Sequence, residues 1–123
     1  MPKIITVQNQ NRAITGPLQV KVCDTFFTQL RGFTLRSQLS RDEGLLLVGR
    51  GDSRLDSSIH MLFVSFDLTV IWINSALHVV DKVLAKSWRP AYFSKQPARY
   101  VLEIHPDRWG DFELGDGVEF KDA

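Results

Sequence analysis

The sequence predicts a mostly β fold, a small closed or half-open β-barrel-like domain with one or two short helices. Composition points that way first: Val, Ile and Thr number 24 against 10 for Ala and Glu, and β-branched side chains lose little rotamer freedom in strands. Short apolar runs bounded by Gly, Pro and Asn are the second sign. The third is that the most apolar runs carry hydrophobic side chains at both parities, as in a sheet covered on both faces or closed on itself. At 123 residues the chain is one domain, residues 1–123.

Lys3 to Val7 and Leu18 to Cys23 read as strands, the second by alternation, with Leu18, Val20 and Val22 opposite Gln19, Lys21 and Cys23. Asp24 is placed to cap a short helix with an apolar stripe of Phe26, Phe27 and Leu30, stopped by Gly32. Leu45 to Val48 is a further strand, and residues 49–58, GRGDSRLDSS, read as a polar exposed loop. The Arg50-Gly51-Asp52 tripeptide within it occurs often by chance, so a loop is preferred to an adhesion motif. Ile59 to Phe63 and Leu68 to Ile73 are the most strand-like segments, and Leu68 to Leu84 forms a hairpin turning at Asn74 and Ser75. Arg99 to Ile104 alternates, with Tyr100, Leu102 and Ile104 opposite Arg99, Val101 and Glu103. Pro106 opens a single helical turn, and Val118 to Phe120 is the last strand.

The net charge of +1 conceals an asymmetry: residues 1–41 carry six basic and one acidic side chain, and residues 103–123 carry two basic and seven acidic. That distribution argues against a broad phosphate-neutralising surface, so nucleic acid is an unlikely partner. The start, MPKIITVQNQ, lacks the signature of a signal peptide, which predicts a cytoplasmic protein, or an exported one whose leader has been removed. The most apolar stretch, Ser58 to Ile73, is interrupted by polar residues and too short to predict a membrane span. The single Cys23 excludes an internal disulfide.

Little in the chain announces chemistry. His60, His78 and His105 have no helical pairing and no Cys partner nearby, so no metal is predicted, and no cofactor fingerprint or nucleophile elbow occurs. Cys23 reads as an inert buried thiol in preference to a nucleophile activated by a helix N-terminus. His60 stands out because Ser58, Leu62 and Val64 give it a mostly apolar face, where an imidazole needs hydrogen-bond partners. It serves either as a core histidine locking the chain or as a ligand or catalytic group. Asp67, in the same stretch, reads as a turn carboxylate accepting backbone N–H groups. Between Trp88 and Tyr100 several aromatic and basic side chains, Tyr92 and Arg99 among them, suit either a binding rim or a loop pinned by its own aromatics.

Three blocks in order carry a family resemblance. The first runs from Asp24 and Thr25 through Gln29, Leu30, Arg31, Gly32 and Phe33 to Asp42, Glu43, Gly44, Leu45 and Leu46. The second is Ser58 to Ile73, and the third joins Ala98 to Glu103 with Gly115, Asp116, Gly117 and Val118. Over about residues 18–120 the chain resembles the bacterial and archaeal domain of unknown function family 192, also called uncharacterised protein family 0127. The resemblance implies a small mostly-β, barrel-like domain with one or two short helices, and brings no reaction, cofactor or catalytic residue with it. Many relatives have an N-terminal signal or lipid anchor and close their hairpin with Asp-x-Asp-Gly, where this chain has Asn74, Ser75 and Ala76.

These observations favour a binding or accessory domain that receives a small ligand or a partner segment at a barrel mouth near His60, Arg31, Tyr92 and Arg99. The alternatives are a hydrolase using His60 with a carboxylate such as Asp67 or Glu103, and a structural or oligomerising module.

Overall fold

A computed structural model of the chain describes residues 3–23, 39–59, 61, 65–89 and 91–123. Among them run seven strands: β1 (Ile4–Asn9), β2 (Gln19–Cys23), β3 (Glu43–Ser53), β4 (Leu68–Ile73), β5 (Val79–Ala85), β6 (Ala98–Ile104) and β7 (Val118–Asp122). A 3-10 helix, Pro106–Asp111, separates the last two. The strands form one sheet in the order β5-β4-β6-β3-β2-β1-β7. All neighbours are antiparallel except β2 and β3.

The sheet curls into an open half-barrel. Tyr100 on β6 and Phe120 on β7 have three strands between them in the order, yet their rings meet edge to face with centroids 5.3 Å apart. The ends of the sheet are tied at one corner by a bridge between His78 and Gly117, by Val79 N–H on the Asp116 carbonyl (2.9 Å) and by Val118 N–H on the Leu77 carbonyl (2.8 Å). Beyond that corner the 3-10 helix spans the gap. Lys82 on β5 donates to the Trp109 carbonyl and to Glu113, and Thr69 on β4 donates to the Pro106 carbonyl.

Alternation along each strand builds two cores. Val7, Val20, Leu46, Ile71, Ile73, Leu102, Ile104 and Phe112 pack on the concave side. On the convex side Cys23, Leu45, Val70, Trp72 and Val101 pack with Leu39, Ile59 and Met61. Strand β4 is buried along its whole length because it feeds both: Ile71 and Ile73 one way, Leu68, Val70 and Trp72 the other. Both faces are therefore apolar, as the two-parity pattern predicts. The convex packing is pinned where the Trp72 indole N–H donates to the Ser57 carbonyl at 2.8 Å.

Two expected elements take a different form. The polar stretch after Val48 is not wholly loop, because β3 continues to Ser53. Its pairing with β6 slips between Val48 and Ser53, and Gly49 permits that irregularity, since a Cβ there would lie 3.1 Å from the Arg99 carbonyl oxygen. Asp52 of the Arg-Gly-Asp tripeptide is engaged by the Ser75 N–H at 2.8 Å. The expected Ile59 to Phe63 strand is, in its described part, a single bridge between Ile59 and Tyr92, after which the Met61 N–H donates to the Arg89 carbonyl and the Met61 carbonyl accepts the Trp88 N–H. The remaining residues of that segment, and the helix expected after Asp24, lie outside the described residues.

The β4–β5 hairpin turns without glycine. Asn74 Oδ1 accepts the N–H groups of Ala76 and His78, and Leu77 takes the left-handed conformation at φ 64°. The 3-10 helix begins at Pro106 behind His105, whose Nδ1 accepts the Asp107 N–H.

Candidate functional site

The concave side offers little room, because Phe112 and the side chains around it fill it. The loops at one end are locked by a polar network. Arg108 is 2% exposed and donates to the Gly16 and Pro17 carbonyls, to the Arg41 carbonyl and to Asp111 at 2.9 Å. Asp111 in turn accepts from the backbone N–H and hydroxyl of Thr15. Asp116 accepts from Arg12 at 2.7 and 3.1 Å, from Asn9 at 2.8 Å and from the Glu113 N–H at 2.8 Å. The Arg12 hydrogen bonds hold the Asp116 carboxyl down to about 2, against the opposing effect of burial, with Asn9 and the Glu113 N–H assisting. These groups satisfy one another and hold the fold.

Glu103 is different. Its neighbours across the ladder are Leu45 on β3 and Val70 on β4, and beyond them Lys21 and Val83 complete the row. The Glu103 side chain therefore stands on the convex face between two core residues. It is 9% exposed, and no hydrogen bond or ion pair reaches its carboxylate among the described residues. Burial alone pushes its pKa up to about 7. No side-chain nitrogen or oxygen among the described residues is both sealed from solvent and unpartnered, so the carboxylate end keeps contact with solvent.

An open cleft of about 480 Å3 adjoins this position and shares Leu45 as part of its wall, with Ile4, Gln19, Lys21, Asp42 and Glu43 also lining it. Glu43 accepts the Ser40 N–H, and Asp42 accepts the Ser40 hydroxyl, which keeps the Asp42 carboxyl below its usual range. Glu103, the cleft and these carboxylates thus occupy one side of the β2–β3–β6 region.

The structure places some of the residues singled out in the sequence. Arg31 and His60 lie outside the described residues. Tyr92 packs against the convex core, and its hydroxyl accepts the Lys86 N–H at 2.8 Å. Arg99 donates through Nε to the Gly49 carbonyl at 3.0 Å. It also lines a niche of about 20 Å3 with Ser57 and Val101, room for one water. Asp67 accepts the Ser87 N–H at 2.9 Å and pairs with Lys86, in keeping with a turn carboxylate. His78 is exposed and His105 caps the 3-10 helix. Among the described residues no group of three or more His, Cys, Asp or Glu side chains is arranged to hold a metal ion, and no helix is long and apolar enough to cross a membrane.

Nothing in the sequence pattern signals the polar network, and as a functional group Glu103 is suggested by the sequence only as a carboxylate partner for His60. Its strand alternates like one with a wet face, and only the sheet order reveals that β6 is enclosed between β3 and β4.

The fold and site define a small curled β-sheet domain with a packed concave face and a buried carboxylate on its convex face. The chain belongs to the DUF192 family, described as uncharacterized ACR, whose model matches residues 5–121. A UPF0127 protein of Thermococcus gammatolerans is 42% identical over 103 residues, covering 82% of this chain and 65% of that protein. One from Pyrococcus abyssi is 28% identical over 114 residues, covering 91% of this chain and 94% of that one. The chain spans between about half and two-thirds of the length of the Thermococcus relatives it matches. Among solved structures, a Sinorhizobium meliloti protein described as a candidate transcription regulator superposes with a TM-score of 0.80 at 20% identity, covering 98% of this chain and 94% of that one. A protein of unknown function from Novosphingobium aromaticivorans superposes at 0.76 and 21% identity, covering 96% and 84%. At such identities these two structures share the fold.

Proposed function

We propose that this chain is a binding domain whose ligand, a small molecule or a short partner segment, docks on the convex face at Glu103 and the adjoining cleft. One observation carries the reading: a carboxylate 9% exposed and without a hydrogen bond or ion pair among the described residues. An unpaired buried carboxylate costs folding free energy, and a site that must receive a partner is one place where such a cost persists. Leu45 gives the site an apolar wall shared with the cleft, and apolar walls with a few placed polar groups are the usual composition of small-ligand sites. Arg31 and His60, outside the described residues, stay candidates for ligand binding on sequence grounds alone, with Tyr92 and Arg99 holding their loop and strand.

A ligand screen by thermal shift tests this reading, comparing the wild type with Glu103→Gln, His60→Ala and Arg31→Ala. A ligand that raises the melting temperature of the wild type and fails to do so in Glu103→Gln supports it. A ligand whose stabilisation survives all three substitutions places the site elsewhere. The second reading is an enzyme of hydrolase type. It is favoured by the position of the Glu103 pKa near 7, where a general acid or base works best. Here Glu103→Gln would retain ligand binding and abolish turnover. Asp67, held by the Ser87 N–H and Lys86, is the weaker carboxylate for that role.

A further inference from the structure

We infer that the group received at Glu103 is an organic cation with N–H donors, an ammonium or guanidinium carried on a short apolar arm; this rests on the binding reading above.

The argument begins with what surrounds the carboxylate. Its ladder neighbours Leu45 and Val70 and its strand neighbour Val101 provide no donor. The charged and titratable groups on the flanking elements are occupied or remote. On β3, Glu43 accepts the Ser40 N–H. On β6, Arg99 donates to the Gly49 carbonyl, and His105, just beyond the strand, accepts the Asp107 N–H through Nδ1. On β2, Lys21 lies two strands from Glu103, about 10 Å at the usual strand spacing. On β5, Asp81 accepts the N–H groups of Lys82 and Lys95. Strand β4, LTVIWI, has no charged residue.

Each class of ligand meets these surroundings differently. An anion would face Glu103 with Glu43 and Asp42 nearby, and among the described residues lining the cleft Lys21 alone carries a positive charge. A purely apolar ligand would seal Glu103 from solvent without a hydrogen bond, the costly arrangement for a carboxylate. A cation with N–H donors supplies both the missing charge and the missing donors, in surroundings where charge-assisted hydrogen bonds are strong. The apolar arm follows from Leu45 and Ile4 in the cleft wall, which leave a bare hydrophilic cation little to pack against.

The test uses four probes of one chain length, n-butylammonium, n-butylguanidinium, n-butanol and butyrate, each added to the same high millimolar concentration. Two NMR signals are followed: the side-chain carboxyl carbon of Glu103 against pH, and the methyl groups of Leu45 and Val70. A bound cation favours the ionised carboxylate, so at least one of the two cations is expected to move the Glu103 midpoint down from about 7 by about 1–3 pH units. The same cation should perturb the two methyl groups, and butanol and butyrate should do neither. In Glu103→Gln, which keeps the shape of the side chain, the response of the methyl groups to the cation should disappear. Perturbation of Leu45 and Val70 by butanol or butyrate, with the cations silent, overturns the cation assignment while leaving the site. Silence from all four probes overturns both.

Discussion

Arg108 and Asp111 form an ion pair of 2.9 Å in which both side chains are almost wholly buried, at 3% and 4% exposure. The pair stitches the 3-10 helix to the chain at Thr15, Gly16, Pro17 and Arg41, so it fixes the corner where the half-barrel is closed by loops. Removing one partner strands the other in the interior. Arg108→Met is expected to lower unfolding stability by about 3–5 kcal/mol in chemical denaturation. Arg108→Met combined with Asp111→Asn should recover part of that loss, because no uncompensated charge is left.

Asp116 sets the acid limit of the same corner. Its carboxyl is held at about 2 against an ordinary value of 3.8. A depressed folded-state pKa contributes stability that is present above the unfolded value and lost as pH falls through the folded one. The wild type should therefore lose stability between about pH 4 and pH 2, and Asp116→Asn, already less stable at pH 7, should lose less over that window. Thermal unfolding of both proteins across that range measures the difference.

Gly44 is required by close approach between strands. A Cβ at this position would lie 2.6 Å from the Glu103 carbonyl oxygen and 2.9 Å from the Ile104 side chain, and backbone cannot yield as a flexible side chain can. Gly44→Ala should cost about 1–3 kcal/mol or more, read as a lower denaturation midpoint. Gly51, with nothing within 4 Å of the same atom, is the control and should tolerate alanine far better.

Much of this architecture was legible in the sequence. Alternation set Leu102 opposite Val101, and the structure seats the first in the concave core and the second in the convex one, because strand period and burial report the same physics. The hairpin was legible from Asn74, although the left-handed Leu77 that completes it was not, since propensity disfavours that conformation in leucine. The extension of β3 through Gly49 and Gly51 was obscured because glycine signals a turn and a bulge alike. Site residues were the least legible. Tyr92 and Arg99 were named from residue type alone, and the hydrogen bonds they make, to the Lys86 N–H and the Gly49 carbonyl, come from chain segments that local pattern does not bring together. The isolation of Glu103 depends on long-range strand order, which local pattern does not encode.

Burial of Glu103 has a signature in stability. A carboxyl whose folded pKa is raised binds its proton more tightly when folded, so stability falls as pH rises from 4.5 through about 7. The full difference amounts to about 3 kcal/mol by the usual conversion. Glu103→Gln removes the titration. It should match the wild type more nearly at acid pH and exceed it by up to about 3 kcal/mol at pH 8, as measured by urea denaturation at the two pH values.

Among the described residues Glu103 stands as an unpaired, buried carboxyl on the convex face of this sheet. The most direct measurement of that state is the NMR titration of the Glu103 side-chain carboxyl carbon in the protein without ligand, assigned by loss of the resonance in Glu103→Gln. The structure predicts a midpoint near 7, and a midpoint near the ordinary 4.5 would contradict it.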